Sequence, residues 1–147
     1  MSKSLHGRVL VLDTIKNNLK SNEIDITQPC ADASITIGAE STANARIVTI
    51  QLKDSNGSDI DYVEQVGITV YTSSAKTAFA VTGGSTGLAA GTDGALLAVV
   101  AKKFFLATSE SDGDIDLAYT DTATETVCIG INLPTGRIVT SSAFANA

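Results

Sequence analysis

The sequence has no tryptophan, one histidine, one methionine, two cysteines and two prolines among its 147 residues. Aromatic residues make up 5% of the chain and charged residues 18%, and the formal net charge is -6. A nucleic-acid-binding protein needs a basic footprint and usually aromatic stacking platforms, so this composition argues against one. It argues equally against a polybasic membrane-surface module.

The residues that carry metal or nucleophile chemistry are nearly missing. Cys30 and Cys128 are widely separated and form no CxxC motif, which excludes the usual zinc and thioredoxin-type patterns. We expect both thiols to be free and packed, because an unoxidised cysteine behaves as a small hydrophobe. His6 has no orienting partner in the sequence, and no GxSxG motif occurs. We therefore predict a protein that is not an enzyme and has no cofactor.

Long apolar runs are also absent. Val9–Leu12 is too short for a signal-peptide core of about 7–15 residues. The longer run Ala95–Ala101 is far short of the roughly 18 residues that span a bilayer. We expect a protein that is made in a cytoplasm and kept there or assembled there into something larger.

Small and hydroxylated residues dominate what is present: Ser, Thr, Ala and Gly account for 63 of the 147 residues. Hydrophobic residues make up 44%, an ordinary value for a globular domain. From residue 46 onward the apolar residues alternate with polar ones, which is typical of half-buried strands. The clearest candidates are 46–53, 67–72, 77–82, 95–100, 102–108, 115–120, 127–133 and 137–140. About seven to nine short strands with regular turns predict an all-β sandwich or barrel.

The chain divides into two parts by this pattern. Residues 46–147 form the predicted β-domain, and residues 1–45 form an N-terminal segment with only the strand fragments 24–27 and 34–37. Two interpretations of the segment stay open. It is either a strand and coil that pack on the domain, or an arm that becomes ordered on a partner.

Two acidic turns and one glycine-rich segment are the most site-like features. Asp54–Asp61 is rich in oxygen ligands but lacks the glycine and glutamate of an EF-hand loop, so turn chemistry competes with a cation site. In Asp112–Asp116 the acids are expected on a solvated face, and Ser109–Asp114 is predicted to be a hairpin connection. Gly83–Gly94 holds five glycines and predicts a mobile loop or a strand broken by bends. Flexibility at the rim of the sandwich is the simplest interpretation, and a loop that contacts a partner is the alternative.

Candidate partner-binding residues follow from exposed or unassigned apolar side chains. Phe104 and Phe105 cannot both face inward on one strand, so one of them is expected in the core and the other at a contact. The full candidate set is Phe104, Phe105, Leu88, Leu12 and Ile15.

The motifs of residues 94–142, taken in order, resemble those of a known protein family. A run of small apolar residues is followed by Phe105-Leu106-Ala107-Thr108, an acidic Asp112-Gly113 turn, the Asp116-Leu117 strand, a threonine-rich connection, a Val-x-Ile strand and a Pro134–Arg137 turn. Leu52-Lys53-Asp54-x-x-Gly57 precedes it as a strand and turn. In these features the sequence resembles an immunoglobulin-like module of tailed-phage virion proteins, over about residues 46 to 142.

The resemblance implies an immunoglobulin-like β-sandwich and a structural role in a virion. It implies a capsid decoration (cement) protein, on the capsid surface, that binds the major capsid protein as a homo-oligomer and stabilises the head. An alternative within the same resemblance is a tail, baseplate or head-fibre component that binds other virion proteins or host glycans. A carbohydrate-active or calcium-dependent enzyme domain is the third hypothesis, which the missing tryptophan disfavours.

Overall fold

The computed structural model describes residues 29–147 and the backbone of residues 20–21 and 24–25. This part of the chain contains eleven strands and no helix. The strands are β1 (Lys20–Ser21), β2 (Ile24–Asp25), β3 (Asp32–Ile37), β4 (Ala45–Lys53), β5 (Gln65–Tyr71), β6 (Gly87–Ala90), β7 (Ala95–Val100), β8 (Phe104–Thr108), β9 (Asp114–Thr120), β10 (Cys128–Asn132) and β11 (Ile138–Thr140). The predicted all-β class is confirmed.

Strands β3 to β11 form two antiparallel sheets that pack as a β-sandwich, and β1 pairs with β2 in a two-stranded sheet. The four-stranded sheet has the order β3-β4-β9-β6, and the five-stranded sheet has the order β11-β10-β5-β8-β7. Strands β4 and β9 alternate buried and less buried residues along most of their length, and Val66, Ile68 and Val70 of β5 point into the core. This alternation turns one face of each strand inward, as the sequence pattern predicted.

One hydrophobic core fills the space between the sheets. Its largest fully buried side chains come from both sheets: Tyr119, Ile50, Leu52, Ile68, Ile115, Leu117, Ile129, Ile131, Val48, Val66, Val70 and Val127. The ring of Tyr119 meets that of Phe144 edge to face, with centroids 5.3 Å apart. Cys30 and Cys128 are free and buried, as expected: Cys30 belongs to this core, whereas Cys128 of β10 lies opposite Tyr71.

The strand order follows the pattern of constant-type immunoglobulin sandwiches in seven strands. Those domains have the orders A-B-E-D and C-F-G when strands are lettered along the chain. Strands β3, β4, β9 and β6 reproduce the first order, and β5, β10 and β11 the second. The β7–β8 hairpin is additional: it follows β6 in the chain and extends the other sheet beyond β5.

The predicted boundary at residue 46 lies too far along the chain. β3 pairs with β4 over its whole length, from Asp32↔Lys53 to Ile37↔Val48. The fragment 34–37 is therefore a strand of the sandwich, and residues 29–45 belong to the folded domain. Whether residues 1–19 form an arm lies outside the described residues.

One open alternative is decided and one predicted strand needs correction. Gly83–Gly94 is the strand broken by bends, because it contains β6, which pairs with β9 through Leu88↔Tyr119 and its neighbours. The predicted strand 77–82 is reduced to a single bridge, Phe79↔Tyr71. Its later residues leave the sheet because the backbone amides of Val81, Thr82 and Gly83 donate to the Glu125 carboxylate.

The predicted hairpin connection 109–114 is instead a crossover between the sheets. The preceding strand β8 pairs with β5 and β7, whereas the following strand β9 pairs with β4 and β6. The segment still contains a tight turn, in which the Glu110 and Asp114 backbones are hydrogen-bonded. The chain turns between β7 and β8, with Lys102 at a φ of 63°.

Candidate functional site

A groove of about 530 Å³ lies on the outer face of the five-stranded sheet, which we call the outer groove. Its lining comes from three strands and one loop: Thr69, Tyr71, Lys76, Thr77, Ala78, Phe79, Phe104 and Asn132. Thr69 and Tyr71 alternate along β5 with the core residues Ile68 and Val70. The groove therefore uses the face of β5 that points away from the core.

Two glycines let large side chains lie flat on this sheet. A Cβ atom at Gly130 would come within 2.5 Å of Cε2 of Tyr71, whose ring covers that position. A Cβ atom at Gly67 would lie 3.2 Å from both Cε2 of Phe104 and Nδ2 of Asn132. Glycine inside a strand often marks such a close approach, and here it lowers the floor of the groove.

The polar part of the floor is fixed by hydrogen bonds. Nδ2 of Asn132 donates to Oγ1 of Thr69 at 2.8 Å and to the carbonyl oxygen of Gly67 at 3.2 Å. Thr69 is almost completely buried although it lies on the outer face. These contacts hold the Asn132 amide in one orientation, so the groove offers a preorganised polar group beside its aromatic rings.

The loop after β5 forms the wall of the groove. The Thr72 amide donates to the Ala78 carbonyl at 3.2 Å, and Phe79 bridges to Tyr71. This pairing places the Phe79 ring on the same face as Tyr71, with 51% of the residue exposed. Lys76 is the single charged residue among those that line the groove.

The apolar surface continues from the groove toward the edge of the sheet. Phe104 pairs with Val100 of β7, and Leu106 pairs with Leu97. Leu97 is 64% exposed and Val100 is 48% exposed. A large exposed apolar area on a soluble domain is typical of an interaction surface.

The predicted partner-binding residues separate into three groups. Phe104 lines the outer groove, whereas Phe105 points into the core with 3% exposure, as expected for neighbouring strand residues. Leu88 is also in the core, with 8% exposure, because β6 pairs with β9. A contact role for Leu88 or Phe105 therefore does not fit the structure. Leu12 and Ile15 lie outside the described residues.

Tyr71, Phe79 and Asn132 were not predicted as site residues. They are separated along the chain and meet only through strand pairing, so no local pattern connects them. The available signal was a glycine within each of two strand patterns, at Gly67 and Gly130, since such a glycine often indicates close packing by another group.

The acidic turn 54–61 is explained by its internal hydrogen bonds. One carboxylate oxygen of Asp54 accepts from the amides of Asn56 at 2.8 Å and Ser58 at 2.9 Å, and the residue is 3% exposed. Gly57 provides the positive φ that the turn requires. Among residues the structure describes, no group of three or more His, Cys, Asp or Glu side chains is arranged to hold a metal ion.

The second acidic cluster is tied to its neighbours on the outer face of the four-stranded sheet. The carboxylate of Asp116 accepts from Thr49 Oγ1 at 2.8 Å and Thr92 Oγ1 at 2.7 Å. Partial burial raises the pKa of Asp114, and the nearby carboxylates of Asp116, Asp112 and Asp93 raise it further. These acids therefore act mainly as hydrogen-bond acceptors that fix adjoining segments.

Glu125 fixes the chain where it leaves the groove. Its carboxylate accepts from the Thr82 hydroxyl and from the amides of Val81, Thr82 and Gly83. Burial alone would raise the pKa of Glu125, but these hydrogen bonds outweigh it and lower the pKa below the usual value. The ionised side chain thus holds the end of the segment that carries Phe79.

The cysteine thiols are unsuited to nucleophilic chemistry. Burial raises the pKa of Cys30 to about 11, with a further contribution from the Glu64 carboxylate, and burial also raises the pKa of Cys128. Because the thiolate is the reactive form, both groups are unreactive near neutral pH. Both side chains are fully buried, Cys30 in the core and Cys128 opposite Tyr71.

Comparison with protein-family models, curated proteins and solved structures found no match for this chain. No helix in the described ranges is long and apolar enough to cross a membrane.

Proposed function

We propose that this chain is a non-enzymatic structural protein of a phage virion, with an immunoglobulin-like sandwich. In this proposal it is a capsid decoration protein on the capsid surface, assembled in the host cytoplasm. It binds the major capsid protein through the outer groove, as a homo-oligomer, and stabilises the head. The observation that carries the proposal is an aromatic groove on a rigid sheet, with Phe79 half exposed at its rim.

The chemistry of the groove suits a protein ligand. Aromatic side chains on a rigid support act as interface anchors because they bury a large area at a small cost in conformational entropy. Asn132 and Thr69 supply fixed polar groups beside the rings. A protruding apolar side chain or a short extended segment of a capsid protein would satisfy both parts of this surface.

The charge distribution is consistent with a protein partner. The groove lining contains Lys76 and no carboxylate, although the whole chain carries a net charge of -6. The acids in the described turns instead serve local hydrogen bonds, as at Asp54 and Glu125. A docking face with few acids avoids charge repulsion from an acidic partner surface.

The test is binding of the full chain to purified capsids that lack it. We expect saturable binding and an increase in the temperature at which the capsids open. Truncating the Phe79 ring by Phe79→Ser removes an anchor worth about 1–2 kcal/mol, so affinity should fall about 5–30-fold. Val63→Ser is the matched control, because Val63 is also 51% exposed but does not line the groove.

Two outcomes would overturn the proposal. One is an absence of capsid binding by the folded wild-type chain. The other is equal affinity of the Phe79→Ser variant and wild type, which would remove the groove from the interface.

A head-fibre or tail component that binds host glycans is the second candidate. Aromatic rings next to a fixed amide, as Tyr71 and Phe79 lie near Asn132, can stack on a sugar and bind its hydroxyls. This function predicts affinity for free oligosaccharides and loss of that affinity in Phe79→Ser. Binding to glycans without binding to capsids would favour it over the capsid role.

A further inference from the structure

Strand β7 is an edge strand without the protection that such strands usually have. It pairs with β8 on one side, and it ends the strand order of the five-stranded sheet on the other. All six of its residues, Ala95 to Val100, are apolar. Natural edge strands are normally protected by charged residues, proline, strong bulges or short length. Here only one irregularity, between Ala98 and Val100, interrupts the pairing with β8.

The side chains of β7 are exposed as well as its backbone edge. Leu97, Val99 and Val100 all belong to the most exposed large hydrophobic residues of the described chain. An apolar edge of this length is a template for pairing with another strand. Among the residues that the structure describes, no strand pairs with the outer edge of β7, and the side chains of Leu97, Val99 and Val100 stay exposed.

We propose that β7 pairs antiparallel with β7 of a second copy of this chain, which joins the two five-stranded sheets into one sheet of ten strands. The inference rests on the homo-oligomer part of the proposed function and identifies the surface that forms the oligomer. An antiparallel pair of identical strands is related by a two-fold axis. The β7 edge of each copy therefore pairs with the same edge of the other copy, and the assembly is closed as a dimer.

The charges at the two ends of β7 favour this partner and this direction. Asp93 precedes the strand, and Lys102 and Lys103 follow it. Antiparallel pairing of two copies brings the acidic end of one strand near the basic end of the other, at both ends of the interface. Parallel pairing would instead place like charges side by side, which is unfavourable.

The opposite edge of the sheet is a poorer site. β11 has only three residues, all partly buried. Arg137, which precedes it, forms an ion pair of 3.0 Å with Asp32 of β3. This contact ties the start of the β11 edge to the other sheet, so the longer and more apolar β7 edge is the one available to a second copy.

Sedimentation velocity over a concentration series tests the proposal with the full chain. We expect a monomer–dimer equilibrium. Val99→Lys should weaken dimerisation by at least about tenfold, because it brings two like charges into the interface. Ile47→Lys is the control: Ile47 is similarly exposed, at 49%, but lies on β4 in the other sheet, and its variant should dimerise like wild type. A single monomer mass at every concentration would overturn the proposal.

Charge exchange tests the identity and direction of the partner. Asp93→Lys should weaken the dimer because it places basic residues at both ends, and adding Lys103→Asp should restore it. Failure of the second change to restore dimerisation, with both variants folded by circular dichroism, would contradict the antiparallel arrangement.

Amide hydrogen exchange locates the contact independently. Exchange in residues 95–100 should slow as concentration rises, whereas exchange in β11 should not change. A dimer that protects β11 or the outer groove instead would refute the assignment to β7. Dimerisation without capsid binding would leave this inference intact and reject the capsid function, so the two proposals fail separately.

Discussion

Replacing Gly130 by alanine tests how the outer groove is built. Gly130 lies on β10 beneath the Tyr71 ring, and an added Cβ atom would come to 2.5 Å from Cε2 and 2.9 Å from Cδ2 of that ring. Carbon atoms in favourable contact are about 3.5–4.0 Å apart, so the ring must move by roughly 1 Å or more. We expect it to swing toward solvent, because Tyr71 is only partly buried.

The size of the effect follows from two opposing contributions. Overpacking of this kind typically costs about 1–3 kcal/mol. Replacing a strand glycine by alanine contributes about 0.5–1 kcal/mol in the opposite direction, because glycine loses more backbone freedom on folding. The net loss in the free energy of unfolding should be about 0.5–2 kcal/mol. The other close group, Cγ2 of Ile138 at 3.5 Å, remains in ordinary contact and adds no comparable cost.

A double-mutant cycle with Tyr71→Ala tests whether the cost of Gly130→Ala comes from the Tyr71 ring. Without the ring, Gly130→Ala loses its steric cost and should become neutral or stabilising, so the sign of its effect reverses. The assay is urea denaturation of wild type, both single variants and the double variant at one pH. If Gly130→Ala costs the same in both backgrounds, the Tyr71 ring is not what requires glycine at this position, and the description of the groove floor is wrong.

Two further predictions concern the carboxylates that organise loops. Glu125→Gln should destabilise the protein by about 1–3 kcal/mol at neutral pH through weakened charge-assisted hydrogen bonds. Because the folded state lowers the pKa of Glu125, its contribution is present above the unfolded pKa of about 4.3 and is lost as pH falls through the folded value. Urea denaturation should therefore give converging stabilities at acidic pH, and a constant difference would contradict the assignment. Asp54→Ala should cost about 1–3 kcal/mol because two amides lose their acceptor, whereas exposed Asp61→Ala should be nearly neutral in thermal unfolding.

The strands that the sequence pattern predicted best are those with one buried face. In β4 from Val48 to Leu52, and in β9 from Ile115 to Tyr119, every second residue is apolar and buried, since the core accepts every second side chain. The local alternation of residues therefore indicates which face of each strand packs against the core. β10 was also predicted, although it does not have one buried face and one exposed face. Its outer face is buried as well, since the Tyr71 ring covers Gly130.

The elements that were left open or assigned wrongly depend on contacts between distant segments. β6 contains only one large apolar residue, Leu88, and lies among glycines, so its strand character comes from pairing with β9. The fragment 34–37 was recognised as a strand, but its role stayed open between packing on the domain and forming an arm, because so short a segment cannot show whether β4 will accept it as a neighbour. Residues 81 and 82 were assigned to a strand because nothing nearby in sequence indicates that Glu125 binds their amides.

The candidate site was predictable only in part. The Phe104-Phe105 pair placed one aromatic ring in the core and left the other for the surface, and this division follows from strand geometry alone. The partners of Phe104 in the groove come from β5, β10 and the loop that ends at Phe79. Which strands become neighbours is decided by the whole fold, so the groove as a unit had no local sequence signal.

The position of the groove relative to β7 links the two proposals. Two antiparallel strands paired edge to edge are related by an axis perpendicular to the sheet, so the outer faces of both copies point to the same side. A dimer through β7 would therefore present two outer grooves on one continuous surface. When both grooves reach their sites on a repeating shell, the second binding event becomes intramolecular and its effective concentration is high. Modest affinity at each groove then suffices for firm attachment. The apolar edge, which would be a liability on a monomer, becomes the element that makes a shallow groove effective.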